Sequence, residues 1–213
     1  LGCCVQPSTL DAEPVDAMRW GIEPGVPLLV CPGTPFKYAP EHDWVLAEIC
    51  RRLGNCRLLF FEYRTRALSS TLRNRLAAEF TRRGLDFGRY VTFLLWQDRA
   101  GFQGLLRRAD AFLDTIGFSG FNTALQAVEC ELPIVTREGR FLRGRLASGI
   151  LKRMDMADLV CADGEQYVAL AVRLAQDADY RAQIRTRMAA GRDALFNDRE
   201  PIRALEEFLA QGA

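Results

Sequence analysis

"DTIGFSGFNTALQAVECELPIVT", Asp114 to Thr136, starts at the end of an apolar strand and passes through a glycine-spaced turn. It continues as an amphipathic run and closes in a second apolar strand. A plain strand-to-helix connection needs one turn residue and one cap, but this one holds Gly117, Ser119, Gly120, Asn122 and Thr123. Asn122 and Thr123 precede "ALQAV", so they fall at the cap or first turn, where backbone N–H groups have no intrahelical partner. An ordinary N-cap accounts for them alone. Gly117 and Gly120 add the prospect of backbone approaching a bound group closely. The pattern is neither G-x-G-x-x-G nor the Walker sequence with its Gly-Lys-Ser/Thr, which removes the dinucleotide and ATP-hydrolysis motifs. Gln126 lies one turn further on, on the face of Asn122 and Thr123.

Outward from this stretch, apolar runs of strand length alternate with amphipathic runs of helix length. "VPLLVC" (26–31), "RLLFFE" (57–62), "YVTFLL" (90–95), "AFLDT" (111–115), "PIVT" (133–136) and "DLVCA" (158–162) read as strands. Between them the helical periodicity of "PEHDWVLAEICRRLG" brings Trp44, Val45, Ile49 and Leu53 together. Pro40 suits the first turn of that helix and Gly54 its end. Further helices are expected in "SSTLRNRLAAEFTRRG", from about Ala100 to Arg108, from Asn122 to Cys130, in "RFLRGRLASGILKRM", and throughout the chain after Gly164. Strands without polar alternation are buried on both faces. Helical crossovers between them imply an α/β fold, a Rossmann-like parallel sheet of about six strands with helices on both faces and extra C-terminal helices. Residues 1–25, with Pro7, Pro14, Pro24 and Gly25, read as a linker or a remnant of a missing lobe, and 26–213 as the domain.

Net charge is +1, so nothing global attracts nucleic acid or an anionic membrane. The arginine pairs 51–52, 82–83 and 107–108 come late in amphipathic segments, where cations complement the helix dipole. Seven cysteines at irregular spacing, several in apolar runs, read as small hydrophobes in a reducing cytoplasm without structural disulfides. With one histidine in the chain, a Cys/His metal site has no ligand set, and no metal or other cofactor is expected. His42, at a helix start, reads as structural. No apolar run approaches the ~20 residues of a membrane span. "LGCC" has the look of a lipoprotein cleavage box but follows no charged and apolar leader, and the absence of a first Met suggests a piece of something longer.

In such sheets ligands bind beyond the carboxyl ends of the strands, near the switch in strand order. After the first strand comes "PGTPFKYAP", where Thr34 and Lys37 offer donors suited to phosphate oxygens ahead of a helix. A surface loop with a solvated lysine is the plain alternative. After the third comes "WQDRAGF", where Trp96 and Arg99 would flank a flat base, unless the tryptophan belongs to the core.

Taken together, "GTPFKYAP", "LRRADAFLDTIGFSGFNTALQAVECELPIVT" and "REGRFLRGRLASGIL" resemble the C-terminal half of the O-linked N-acetylglucosamine transferase family. The related bacterial adhesin N-glucosyltransferases share much of the pattern, which runs from about Trp20 to Asn197. The resemblance implies a two-lobed glycosyltransferase B-type fold, of which this half holds the UDP-sugar. It places Lys37 on the lysine that contacts the donor diphosphate and stabilises the leaving group. It places Thr34 nearby, Trp96 and Gln97 on the segment that reads uracil, and Arg99 on a neighbouring lysine position. Gly120, Asn122 and Thr123 fall on the helix-start turn at the diphosphate. Three positions depart from the animal enzymes: Phe121 and Phe102 stand for histidines, and Gln126 for an aspartate on the ribose. Asn122 brings the stretch nearer to the N-glucosyltransferase branch.

The implied chemistry is inverting, metal-independent transfer of a sugar from UDP to a protein side chain. The acceptor pocket and any general base would belong to a missing N-terminal lobe, leaving the fragment inactive alone. An N-glucosyltransferase, and a non-catalytic nucleotide-binding or interaction module that keeps the fold, stay open beside it. Another sugar-nucleotide enzyme of the same two-lobed fold is disfavoured by the blocks around Asn122 and Arg145.

Overall fold

The computed structural model describes residues 6–7, 14–20 and 22–211. Cys3, Cys4 and the "LGCC" start lie outside them. In chain order the elements are β1 (Leu28–Val30), α1 (Asp43–Leu53), β2 (Arg57–Phe61), α2 (Arg66–Arg82), α3 (Phe87–Tyr90), β3 (Val91–Leu94) and α4 (Arg99–Arg108). They continue with β4 (Ala111–Leu113), α5 (Asn122–Glu129), β5 (Ile134–Arg137), α6 (Leu146–Arg153), β6 (Val160–Cys161), α7 (Gly164–Gln176), α8 (Ala178–Gly191) and α9 (Glu200–Gln211).

The six strands form a sheet in the order β3-β2-β1-β4-β5-β6, with every pair parallel. From β1 the chain steps one way to β2 and β3. It then crosses back and steps the other way through β4, β5 and β6. Right-handed crossovers therefore place the two sets of helices on opposite faces. One row holds α1, packed on α2 and α7; the other holds α4, α5 and α6. The short central strands are apolar all along because both faces are covered: Leu28, Leu29 and Val30 are wholly buried, as are Leu58 and Leu59. Ala17 and Ile22, upstream of β1, are also part of this core.

Three helices differ from their expected starts, the first being α1, which opens at Asp43 with Pro40 in a separate 3₁₀ turn, Pro40–His42, ahead of it. The helix anticipated over residues 140–154 begins only at Leu146, after a 3₁₀ turn at Leu142–Gly144. Gly139 N–H donates to Gly144 O at 2.8 Å, and a Cβ on Gly144 would lie 3.0 Å from Gly139 Cα and 3.2 Å from Gly117 O. That loop is folded flat on the turn after β4, so its first residues are unavailable to a helix. The second helix starts at Arg66 rather than at Ser69. Ser69 is buried and its hydroxyl accepts the Tyr63 N–H at 2.8 Å, tying down the loop after β2 instead of capping. The ends of α1 and α2 fall where glycine was expected to stop them: Gly54 has φ +67° and Gly84 φ +71°.

Candidate functional site at the strand ends

The reversal of strand order falls between β1 and β4, and the loops leaving these two strands touch. A Cβ on Gly33 would lie 2.2 Å from Thr115 Oγ1 and 3.0 Å from the Tyr38 ring, so only glycine fits at this crossing. Next to it stands Asp114, a carboxylate 4% exposed. Its Oδ2 accepts from Ser119 Oγ and Thr136 Oγ1, both at 2.7 Å, and its Oδ1 accepts the Gly120 N–H at 2.8 Å. Burial pushes its pKa up from the usual carboxylate value, and the donors from Gly120, Ser119 and Thr136 oppose that rise. The Ser119 hydroxyl also accepts the Ala147 N–H at the start of α6, at 2.8 Å.

These bonds account for Ser119 and Gly120 in the small-residue cluster of the turn. Ser119 holds the turn to Asp114 and to α6. Gly120 is buried, and a Cβ there would meet Thr123 Oγ1 at 2.6 Å. The missing side chain thus gives room to the Thr123 hydroxyl within the turn. Gly117 has φ +85°, a left-handed turn position. Asn122 and Thr123 are left over. They open α5, whose N-cap position is Phe121, and no side chain caps the helix start. Asn122 is exposed and Thr123 half-buried.

Lys37 closes a 3₁₀ turn, Pro35–Lys37, that follows β1. Its Nζ donates to Ser119 O at 3.4 Å and lies 4.6 Å from the centre of the Phe118 ring. Partial burial lowers its pKa from the ordinary lysine value, and the Asp114 charge pulls it back up. The turn itself is clamped from α2. Arg75 Nε donates to Asp43 Oδ2 at 2.6 Å, and its Nη2 donates to Tyr38 O at 2.7 Å.

Beyond the ends of β1, β2 and β3 opens a cleft of about 960 Å³. Thr34, Trp96, Gln97, Arg99, Thr123 and Gln126 line it, as do Phe102, Tyr63 and Arg64 of the loop after β2, and Arg66 and Arg73 of α2. The cleft thus unites residues from three post-strand loops with the starts of α2, α4 and α5. Trp96 is 78% exposed, so the core reading for it does not hold. Phe102 packs edge-on against Phe61, with ring centres 5.4 Å apart. The Gln97 amide folds back to donate to Leu95 O at 2.8 Å. Thr34 Oγ1 is buried without a hydrogen-bond partner, the kind of atom a ligand would satisfy. Lys37, Gly120, Phe121 and Asn122 do not line the cleft; they belong to the two touching loops beside it.

His42 ends the 3₁₀ turn Pro40–His42 ahead of α1 and makes no capping bond. With Asp114, Thr115 and Tyr167 it lines a small cavity of about 20 Å³, and burial lowers its pKa. Among the described residues, no three His, Cys, Asp or Glu side chains are grouped to hold a metal ion, and no helix is long and apolar enough to cross a membrane. Cys31, Cys50, Cys56, Cys130 and Cys161 are buried free thiols. Asp114 and Arg75 were not singled out from sequence. A carboxylate closing the apolar run "AFLD" was a legible signal for the first; the second had none.

A parallel sheet that reverses order between β1 and β4, with a cleft beyond its strand ends and an uncapped helix start beside a lysine, defines a Rossmann-like lobe of the kind found in two-lobed glycosyltransferases. The profile of glycosyl transferase family 41 matches residues 84–205, more than half of the chain, and the chain belongs to that family. Over 134 residues it is 32% identical to a UDP-N-acetylglucosamine–peptide N-acetylglucosaminyltransferase of Caenorhabditis elegans, covering 61% of this chain and 11% of that protein. A Giardia intestinalis protein of the same description is 33% identical over 88 residues, which is 41% of this chain and 6% of that protein. A solved mutant of the Thermobaculum terrenum O-GlcNAc transferase superposes with a TM-score of 0.75 at 26% identity, covering 90% of this chain and 35% of that one. A trehalose-6-phosphate synthase from Burkholderia multivorans shares the fold at a TM-score of 0.61 and 16% identity, over 88% of this chain and 43% of that one. The chain thus spans about a tenth or less of the two curated relatives and less than half of each solved chain.

Proposed function

We propose that the chain is the donor-binding lobe of an inverting, metal-independent protein glycosyltransferase that takes a UDP-sugar. The observation that carries this reading is the cleft, whose lining joins Thr34, Trp96, Gln97, Arg99, Thr123 and Gln126. The uracil would lie against Trp96, Gln97 and Arg99, the ribose at Gln126, and the diphosphate toward Thr123, Asn122 and Lys37.

The chemical difficulty in such a transfer is the charge that collects on departing UDP. Lys37 and the unpaired N–H groups at the start of α5 are oriented donors, and partial burial makes their interaction with an anion stronger than in water. They supply the stabilisation that a divalent cation gives in other enzymes. The lowered lysine pKa would rise again once a diphosphate binds, because an anion favours the charged form. The general base and the pocket that holds the acceptor side chain would come from a second lobe. Alone, this lobe excludes too little water to transfer sugar. A cytoplasmic setting suits its buried thiols.

Titration calorimetry tests the reading. Lys37→Ala should weaken UDP binding by about ten- to a hundredfold, the loss of one charge-assisted contact, and leave uridine almost unaffected. EDTA should change neither. Equal losses for UDP and uridine would remove Lys37 from the diphosphate. Labelling of protein by the isolated chain and a labelled UDP-sugar would show that a second lobe is not required.

A further inference from the structure

Next to the cleft, on the side of Lys37, a line of aromatic rings and cations continues along the strand ends. Phe36 meets Tyr63 of the cleft edge-on, with ring centres 6.1 Å apart, and meets Phe118 at the same distance. The Arg143 guanidinium lies 6.0 Å from the Phe118 ring and 5.3 Å from that of Phe141, and Arg140 lies 5.7 Å from Phe141. Three large apolar side chains in this line are turned to solvent: Phe36 is 54% exposed, Phe141 60% and Leu142 73%.

Isolated exposed apolar residues need no explanation, but a contiguous set rimmed by cations does. Arg140 and Arg143 have no carboxylate partner among the described residues. The nearby acid, Glu138, is already engaged by Lys152 and by Arg145 at 3.5 Å. The loop is also held rather than loose. Gly139 and Gly144 are bonded across it, and Arg143 O accepts the Ser119 N–H at 2.8 Å. The ridge is therefore apolar, positively charged, pre-formed and joined to the turn that carries Asn122.

We propose that this ridge docks an acidic polypeptide segment bearing apolar side chains, and so contributes to acceptor selection on this lobe. The acceptor role, though not the docking itself, rests on the glycosyltransferase reading. Charge complementarity selects acidic side chains for Arg140 and Arg143, and the exposed rings and Leu142 select apolar ones between them. Nucleic acid fits less well, because the centre of the patch is hydrocarbon rather than a field of cations.

The test uses the chain with a fluorescein-labelled peptide of alternating glutamate and leucine or phenylalanine. A control peptide has every glutamate replaced by lysine. Fluorescence anisotropy should show the acidic peptide binding, the basic one not, and affinity falling with salt. The double variant Arg140→Glu/Arg143→Glu should bind the acidic peptide at least about tenfold more weakly. Phe141→Ser should lower binding at unchanged charge. UDP affinity by calorimetry should be the same in both variants as in the parent chain, which separates failure of the ridge from failure of the donor site. Equal binding of both peptides, no binding of either, or indifference to the arginine reversals would overturn the proposal. So would retention on phosphatidylserine vesicles in place of peptide, or an arginine-dependent dimer in sedimentation velocity.

Discussion

Replacing Asp114 by alanine removes the acceptor of three buried hydrogen bonds at once, those from Ser119 Oγ, Thr136 Oγ1 and the Gly120 N–H. Each donor left unsatisfied costs about 1–3 kcal/mol, and the Ser119 hydroxyl can recover part by turning to Gly120 O, now 3.4 Å away. A loss of roughly 3–6 kcal/mol follows, a large share of the roughly 5–15 kcal/mol that holds a domain together. Asparagine is the informative second variant. Its carbonyl can keep the Gly120 bond while its amide faces two hydroxyls that must reorient, at a cost of about 1–2 kcal/mol. Because burial raises the Asp114 pKa above its unfolded value of 3.8, the folded state holds the proton more tightly. That contribution is complete below the unfolded value and is lost as pH rises through the raised one. Wild type should therefore lose stability relative to Asp114→Asn over that window. Urea unfolding at several pH values, with UDP calorimetry on the folded variants, checks all of this. If Asp114→Ala unfolds at the same urea concentration as the parent and binds UDP equally, the carboxylate does not hold the turn and the reasoning fails.

Gln126→Ala should weaken UDP binding by about 1 kcal/mol, the net worth of a neutral hydrogen bond, or roughly fivefold in Kd. Comparing UDP with 2′,3′-dideoxy-UDP locates the contact; an equal penalty in parent and variant would make Gln126 a solvated helix residue. Glu48 accepts from Arg51 and Arg52 at 2.7 Å, and these bonds hold its pKa down to about 2 from 4.5. The arginine heads sit at the surface, so solvent screening reduces the benefit to about 1–2 kcal/mol. The unfolded state binds the extra proton, so Glu48→Gln should cost this amount at neutral pH. The difference should shrink as pH falls below 4.5 toward about 2, and a pH-independent difference in urea midpoints would contradict it.

The sheet was legible because its strands are buried on both faces, which leaves unbroken apolar runs such as Leu58–Phe60. The helix α3 was not. It has four residues, too few for any periodicity, and is set by Asp86 accepting the Gly88 N–H at 3.0 Å. Loop 139–145 departs from its helical spacing for a related reason. "RFLRGRLASGIL" carries helical spacing, but the close contact of Gly144 with Gly139 and Gly117 joins segments distant in sequence. The candidate site divides in the same way. Residues placed by local order alone, Thr34, Trp96, Arg99 and Gln126, come together in one cleft because each follows a strand or begins a helix beside it. Those placed by tertiary contacts, Asp114 and Arg75, have partners that no spacing rule reveals.

The glycines carry this distinction furthest. Gly120 invites a reading as an opening for ligand, and in an isolated turn that inference is sound. Here its missing side chain is replaced by protein: Thr123 Oγ1 fills the space, and the freed N–H bonds to Asp114. Gly33 does the same on the other side of the switch point, where Thr115 Oγ1 occupies its Cβ position. The two loops that bear Lys37 and Asn122 are therefore held by contacts between themselves and a buried carboxylate, without needing a ligand to order them. On the proposed reading, a diphosphate would meet donors already in place there, and little of the binding free energy would be spent on ordering the loops.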